Sequence, residues 1–138
     1  MIEGGFTHQD QLGNKATIKE GGVQWMSTGS GVMHSEMPVL SENKNIHGFQ
    51  IWLNLPAADK MRPAIYQDAN HQDLPVLNND QGASLKLLAG EWSFAQQTAS
   101  SPLQQLAGDG AIADLTLKAN ATAELDLSHF TQVLILIH

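Results

Sequence analysis

The sequence predicts an all-β protein, a barrel or a sandwich of short strands. Runs rich in β-branched and aromatic residues recur between turns that contain Gly, Asn or Pro. No stretch keeps the 3.6-residue apolar period of an amphipathic helix for long. With 138 residues, of which 42% are hydrophobic and 15% charged, the chain is expected to form one domain with a sizeable core.

Five strands are expected in the first part of the chain, each bounded by a turn signal. A Gly-Asn turn at 13–14 and a Gly-Gly turn at 21–22 separate the first three, and the TGSG loop precedes the fourth. The fifth runs from His47 to Leu55, where apolar residues alternate along one face, and Pro56 ends it. The five stretches are GGFTHQDQ, ATIK, VQWMS, GVMHSEM and HGFQIWLNL.

The remainder begins with a connector, 57–82, which contains Pro63 and Pro75 and is expected to be loop-rich with short extended pieces. ASLKLLAGEW predicts a strand after it. Residues 93–111 are polar and rich in small side chains, which predicts a loop with at most one helical turn. Residues 112–138 predict three strands, with turns at 119–120 and 128–129.

Composition and charge exclude several classes of partner. Fourteen acidic and seven basic residues give a net charge of -7, with no basic patch, so we expect neither a nucleic-acid nor a membrane partner. The chain has no cysteine, which excludes disulfides and thiolate ligands. Its N-terminal residues lack the basic and apolar regions of a signal peptide, so a cytoplasmic location is expected.

His34 and Glu36 are the candidate metal ligands. They lie two residues apart on the strand that follows the glycine-rich TGSG loop. Residues i and i+2 of a strand point to the same face, so both side chains can reach one metal ion. Two ligands rarely hold a transition metal alone, so the pair predicts an incomplete site. No residue is assigned to catalysis or to binding an organic cofactor.

Two long stretches of the sequence resemble the pirin family of bicupins. They are LGNKATIKEGGVQWMSTGSGVMHSEMP and HGFQIWLNLPAADKMRPAIYQD, and a weaker likeness continues through ASLKLLAGE and residues 112–138. The resemblance implies a cupin-like barrel, a double-stranded β-helix or jelly roll, built from two half-cupins. Residues 1–56 would be the second half of an N-terminal cupin and 83–138 the first half of a C-terminal cupin, joined by the connector 57–82.

The resemblance also implies how the two halves close. They close either on each other, as one circularly permuted barrel, or between two chains that exchange halves to form a homodimer. Either closure would cover the apolar strand QVLILIH at the end of the chain, whose open edge would otherwise favour aggregation. We expect the homodimer.

Pirins bind iron through a His-x-His pair and a His-x-Glu pair, and His34 and Glu36 match the second pair. The segment that carries the first pair has no counterpart here, and Leu125 and Leu127 would occupy its positions. We therefore expect no firmly bound cofactor, and iron or another divalent metal at low occupancy at most.

The other histidines are expected to have structural or solvent-exposed roles. His8 is expected at the surface beyond the site, and His71 and His138 in solvent. His47 and His129 are expected to make structural contacts. Trp25, Met26, Phe49 and Trp52 are assigned to a barrel or interface core.

Two functions follow as hypotheses. The preferred one is a truncated pirin-like cupin that is not catalytic, binds a small molecule or a protein, and keeps a degenerate metal site. The alternative is an iron-dependent dioxygenase similar to the flavonol-cleaving pirins, in which His34 and Glu36 are ligands.

Overall fold

The computed structural model describes residues 1–39, 45–104, 108 and 110–138, and these residues form an all-β architecture. Two single-turn 3-10 helices, Ala57–Asp59 and His71–Asp73, are their helical segments. The strands are β1 (Gly5–Asp10), β2 (Lys15–Lys19), β3 (Val23–Ser27), β4 (His34–Val39), β5 (Ile65–Ala69), β6 (Val76–Asn78), β7 (Ala83–Ala89), β8 (Glu91–Phe94), β9 (Gln97–Ser100) and β10 (Ile112–Leu117).

The strands pair antiparallel in four small sheets. One sheet has the order β2-β1-β4 and another the order β10-β7-β6, while β3 pairs with β5 and β8 pairs with β9. β4 has one neighbour, β1, among the described strands, and all six of its residues are exposed. The first sheet therefore ends in an open edge strand.

The larger hydrophobic core lies on one face of β7. Ala83, Leu85, Leu87 and Ala89 alternate with half-buried residues along the strand and are at most 2% exposed. This two-residue period is the pattern of a strand with one face against a core. Phe94 of β8 packs into the same cluster.

A smaller core lies beneath β3 and β5. Ala69, Leu74 and Leu103 are buried there, and Trp25 packs against them. Ser101 is also buried, and its hydroxyl donates to the Leu88 carbonyl oxygen at 2.9 Å. The sequence prediction that Trp25 belongs to a core is therefore confirmed.

The strand predicted from His47 to Leu55 is wrong for the single chain. His47 makes one isolated bridge with Glu3, and residues 48–55 pair with none of the described strands. Phe49 and Trp52, which were assigned to a barrel or interface core, are 44% and 88% exposed. The apolar alternation is present, but no described element covers it.

Residues 118–138 likewise have a strand pattern in sequence but no strand in the structure. Of the three strands predicted in 112–138, β10 alone forms there, and residues 118–138 join none of the sheets that the described residues make. Leu134 and Ile137 are 87% and 91% exposed. The segment contacts the rest of the chain near its end, where the rings of His138 and Phe49 lie 5.3 Å apart.

The loop predicted over 93–111 contains a hairpin instead. β8 and β9 pair with each other through a two-residue turn, Ala95–Gln96, in which both residues have positive φ angles of 50° and 62°. Such turns usually carry Asn-Gly, so the sequence offered no turn signal. Residues 105–107 and 109 of that predicted loop lie outside the described residues.

β3 pairs with β5, so the first predicted segment and the connector 57–82 share a sheet. The division of the chain into two half-cupins and a connector at 57–82 stays a prediction.

In the described part of the chain, no helix has the length and apolarity that are needed to cross a membrane.

Candidate functional site

The TGSG loop, which precedes β4, is held in position by a close contact with Arg62. Gly29 has a φ of +52°, and a Cβ added there would collide with the carbonyl oxygen of Arg62. The backbone N–H of Ser30 donates to that same oxygen at 2.9 Å. Glycine is therefore required at this close approach, which holds the loop before β4 against the Arg62 turn.

The pairing of β1 with β4 gathers four polar residues on one face. His8 lies opposite Glu36, and Asp10 lies opposite His34. Opposite residues of an antiparallel pair share a face, and so do residues two apart on one strand. The four side chains therefore point to the same side of the sheet.

Three of these side chains come close to one another. Glu36 Oε1 lies 4.0 Å from His8 Nδ1 and also 4.0 Å from His34 Nε2. The rings of His8 and His34 stack with their centroids 5.2 Å apart and an angle of 28° between their planes. The sequence-predicted pair is thus brought together, and His8 joins it.

The prediction that His8 lies at the surface is wrong. His8 is 1% exposed, and neither of its ring nitrogens has a hydrogen-bond partner among the described residues. Buried polar atoms without partners are rare in native proteins and call for an explanation, such as a bound ion, water or ligand. The surface prediction failed because His8 lies in a polar stretch, and only the β1–β4 register shows what it faces.

Tyr66 of β5 closes the site from the second sheet. Its ring centroid lies 5.0 Å from that of His8. Its buried hydroxyl lies close enough to the Asp10 carboxylate to interact with it, but forms no hydrogen bond of good geometry among the described residues. Burial, followed by the negative charge of Asp10 and this contact with its carboxylate, raises the pKa of Tyr66 above its ordinary value. The hydroxyl therefore stays protonated, able to donate or accept a hydrogen bond. The sequence analysis did not single out Tyr66, because its strand fell within the predicted connector.

Asp10 is a structural carboxylate at the end of β1. It accepts hydrogen bonds from the backbone N–H groups of Leu12 and Asn14, each at 2.9 Å, and from the Asn14 side chain at 2.7 Å. Burial alone would raise the pKa of Asp10, but these hydrogen bonds outweigh it and hold the pKa below its ordinary value. Asp10 therefore contributes a fixed negative charge beside the histidines while its oxygens serve the turn.

The remaining histidines lie elsewhere. His71 and His129 are exposed, and the ring of His129 packs at a tilt against Phe130, with their centroids 4.1 Å apart. His138 is also exposed, with Nε2 3.8 Å from Asp114 Oδ1. His47 makes its structural contact through the backbone, since its N–H donates to the Glu3 carbonyl at 3.0 Å.

The two leucines expected at the missing ligand positions are half-buried, and Leu125 packs against the β7 core. In the single chain, both leucines therefore pack within residues 83–138. That Leu125 and Leu127 occupy the positions of the missing His-x-His pair stays a prediction, because it applies only to a barrel in which the two halves close on each other.

The donor set suits a divalent transition metal in its chemistry. Two imidazoles and one carboxylate are ligands of iron, zinc and related ions, and His8 has both ring nitrogens free. The positions of these three side chains, however, do not form a ready metal site. Over residues 1–39, 45–104, 108 and 110–138, no three His, Cys, Asp or Glu side chains are already arranged to hold one metal ion.

The fold and this site define a class, the cupin-type all-β proteins. The chain aligns with the crystal structure of a quercetin 2,3-dioxygenase from Acinetobacter baumannii with a TM-score of 0.61 and 34% sequence identity. The alignment covers 76% of this chain and 36% of that one. A structure from Geobacillus kaustophilus gives a TM-score of 0.63 at 32% identity, over 76% of this chain and 39% of the other.

Sequence comparisons identify the family within that class. The family model described as Pirin matches residues 1–53. A Vibrio cholerae protein, provisionally named a quercetin 2,3-dioxygenase, is 38% identical over 97% of this chain and 48% of its own length. A pirin-like protein of Solanum lycopersicum is 48% identical over 66% of this chain and 30% of its own.

The chain belongs to the pirin family, as its resemblance in sequence predicted. It spans less than half the length of these curated relatives. The family assignment therefore establishes the fold of the chain and the ancestry of the His34–Glu36 pair. The activity and ligands of the full-length relatives are not carried over to this chain.

Proposed function

We propose that this chain is a pirin-type cupin module that binds a small molecule with adjacent oxygen atoms at the β1–β4 face and does not turn it over. A flavonol such as quercetin is the compound class that the names of its relatives suggest. The observation that carries the proposal is the buried imidazole of His8, which lacks a partner beside the half-exposed His34 and Glu36.

Hydrogen bonding explains why such a ligand would bind. A neutral imidazole offers one donor and one acceptor, and the Tyr66 hydroxyl offers both. A ligand with a hydroxyl next to a carbonyl satisfies these groups together. Filling them removes the free-energy penalty of buried polar atoms that have no partner, about 1–3 kcal/mol for each group.

The absence of turnover is argued from the metal ligands. Glu36 Oε1 stands 4.0 Å from both His8 Nδ1 and His34 Nε2, and no three His, Cys, Asp or Glu side chains among the described residues are arranged to hold one metal ion. Ligands about 2.1 Å from one ion lie roughly 3.0–3.4 Å from each other in adjacent octahedral or tetrahedral positions. A site that is not preorganised in this way holds a metal ion weakly.

A metal-dependent dioxygenase is the second candidate. The proximity of His34 and Glu36 favours it, as do the quercetin 2,3-dioxygenases among the similar proteins. The chemistry that bound iron would supply is orientation of the substrate oxygens and activation of O2. In that hypothesis the Glu36 carboxylate also accepts the proton of the flavonol hydroxyl.

A quercetin titration in air separates the two candidates. We expect saturable quenching of tryptophan fluorescence, at one quercetin per chain, that survives EDTA and is accompanied by no O2 uptake. The substitutions His34→Ala and Glu36→Ala should weaken binding. The control His138→Ala, which changes an exposed histidine outside the site, should bind as the wild type does.

Oxygen consumption that matches quercetin loss and stops on addition of EDTA would replace the binding module with the enzyme. No saturable binding by a folded protein would overturn the proposed ligand class.

A further inference from the structure

We propose that the Tyr66 hydroxyl, with its proton directed at Asp10, acts with His8 Nε2 as a pair of hydrogen-bond acceptors that selects ligands with two adjacent hydroxyl groups, as in a catechol. The inference rests on the proposed function, since it concerns the same β1–β4 face. It adds which pair of adjacent oxygen atoms the site recognises. Tyr66 is then the specificity-determining residue of the site.

Asp10 fixes the direction of the Tyr66 proton. Both oxygens of the Asp10 carboxylate already accept hydrogen bonds, from the backbone N–H groups of Leu12 and Asn14 and from the Asn14 side chain. A carboxylate held in this way is ionised and has no proton to donate. The Tyr66 hydroxyl lies within reach of this carboxylate. Its O–H is therefore directed there, and its oxygen lone pairs stay available to a ligand.

Glu36 fixes the tautomer of His8 by the same reasoning. Glu36 Oε1 lies 4.0 Å from His8 Nδ1, and a carboxylate beside one ring nitrogen favours the tautomer that carries the proton there. His8 Nε2 is then an acceptor, and it is buried without a hydrogen-bond partner among the described residues. The ring centroids of His8 and Tyr66 lie 5.0 Å apart, so one ligand can reach both acceptors.

The two strands supply few donors to match these acceptors. Residues 5–10 and 34–39 include no lysine or arginine, and the carboxylates of Asp10 and Glu36 are acceptors only. His34, the remaining polar side chain on this face, has its Nε2 atom 4.0 Å from Glu36 Oε1. The ligand must therefore bring the protons. Two adjacent hydroxyl groups bring two, whereas a hydroxyl beside a carbonyl brings one.

Burial makes the site sensitive to this difference. His8 is 1% exposed and the Tyr66 hydroxyl is buried, so water has little access to either acceptor. A ligand that covers the acceptors without donating to them leaves them unpaired, and such a site discriminates strongly between ligands. Quercetin carries both kinds of oxygen pair, a hydroxyl beside a carbonyl on its central ring and a catechol on its outer ring. The catechol is therefore the part that the β1–β4 face holds.

Three flavonoids with different oxygen pairs test the inference on the purified full chain. Quercetin has both pairs, luteolin keeps the catechol but lacks the hydroxyl at position 3, and kaempferol lacks one hydroxyl of the catechol. Titrations followed by tryptophan fluorescence, in deaerated buffer with EDTA, exclude catechol oxidation and binding through a metal ion. Luteolin should bind as quercetin does, whereas kaempferol should bind roughly tenfold more weakly, because one acceptor then stays unpaired.

Tyr66→Phe is the variant that tests the acceptor pair, since it removes one hydroxyl and keeps the ring. It should weaken quercetin and luteolin binding by roughly tenfold and leave kaempferol binding nearly unchanged, because the single hydroxyl of kaempferol can still donate to His8. A variant that only disturbed the structure would weaken all three alike. The control Thr7→Val removes a hydroxyl from the opposite face of β1, where Thr7 pairs with Thr17, and should keep the wild-type preference.

The outcomes separate this inference from the proposed function. Equally tight binding of kaempferol and quercetin, or an unchanged preference in folded Tyr66→Phe, would overturn the catechol assignment and leave the binding module standing. Circular dichroism shows whether the variant keeps its sheets. If it does not, the comparison of luteolin with kaempferol on the wild type decides the assignment. No saturable binding of any of the three by the folded wild type would overturn both.

Discussion

His8 is the residue on which the interpretation of the site depends most. Its ring is buried between His34 and Tyr66, and its neighbours leave both nitrogens without hydrogen bonds. A histidine that had only a packing role would ordinarily be paired with a backbone carbonyl or a carboxylate. We therefore regard His8 as a ligand-binding residue.

The sequence contained part of this result. His34 and Glu36 were predicted from their spacing on one strand, and the structure brings them together. His8 and Asp10 repeat the same spacing on β1, which is the signal that was missed. What they face depends on a register between strands far apart in the chain, and local sequence patterns do not specify that register.

A prediction at the residue scale concerns the loop before β4. Gly29→Ala should lower the free energy of unfolding by roughly 3 kcal/mol, because its Cβ meets the Arg62 carbonyl oxygen in addition to the strain of a positive φ. Gly13→Ala is the matched control, with a φ of +89° and no atom within 4 Å of an added Cβ. It should cost only about 1 kcal/mol. Urea denaturation measures both, and equal losses would contradict the close-approach explanation.

At the scale of elements, strands formed where the sequence provides both a turn and a partner. β1 to β4 and β7 were predicted, since Gly-containing turns bound them and β7 alternates strictly. The β8–β9 hairpin was missed because its turn, Ala95–Gln96, lacks the usual residues. The segments at 48–55 and 118–138 have strand patterns but no described partner, and pairing is what a pattern alone does not provide.

The strained hairpin turn gives a second prediction. Replacing Ala95 by Asn and Gln96 by Gly should raise the free energy of unfolding by about 1 kcal/mol, because Asn and Gly tolerate positive φ better. Thermal and urea unfolding of the double variant measure the gain. A loss of stability would show that the turn does not adopt the left-handed conformation.

The β7 core gives a third prediction. Leu87→Ala should destabilise the protein by about 2–5 kcal/mol, since Leu87 is fully buried and its truncation leaves a cavity. Leu12→Ala is the control, because Leu12 is 68% exposed outside the two apolar segments and its truncation should change stability by less than about 0.5 kcal/mol. A large loss at Leu12 together with a small loss at Leu87 would place the core elsewhere.

At the scale of the whole molecule, two exposed apolar segments remain without a cover. Phe49, Ile51, Trp52 and Leu53 are 44–88% exposed, and residues 133–137 are 51–91% exposed. The two segments meet where the rings of Phe49 and His138 pack edge to face. Monomers rarely expose apolar patches above roughly 300–600 Å², so these segments are expected to be interfaces.

The fourth prediction is a homodimer in which a second copy covers these segments, by exchange of half-barrels. Light scattering should give twice the chain mass of 14.9 kDa. Leu134→Asp combined with Ile137→Asp should shift the protein towards monomer, whereas Leu12→Asp, at a leucine 68% exposed outside both segments, should not. A wild-type monomer would contradict the exchange.

The central claim is that the face of the β1–β4 pair with His8, His34 and Glu36 binds a small molecule with adjacent oxygen atoms. A quercetin titration followed by tryptophan fluorescence in the presence of EDTA tests it most directly. The account predicts saturable binding of one quercetin per chain, weakened in His34→Ala and Glu36→Ala and unchanged in His138→Ala. The absence of saturable binding by the folded wild type would contradict the claim.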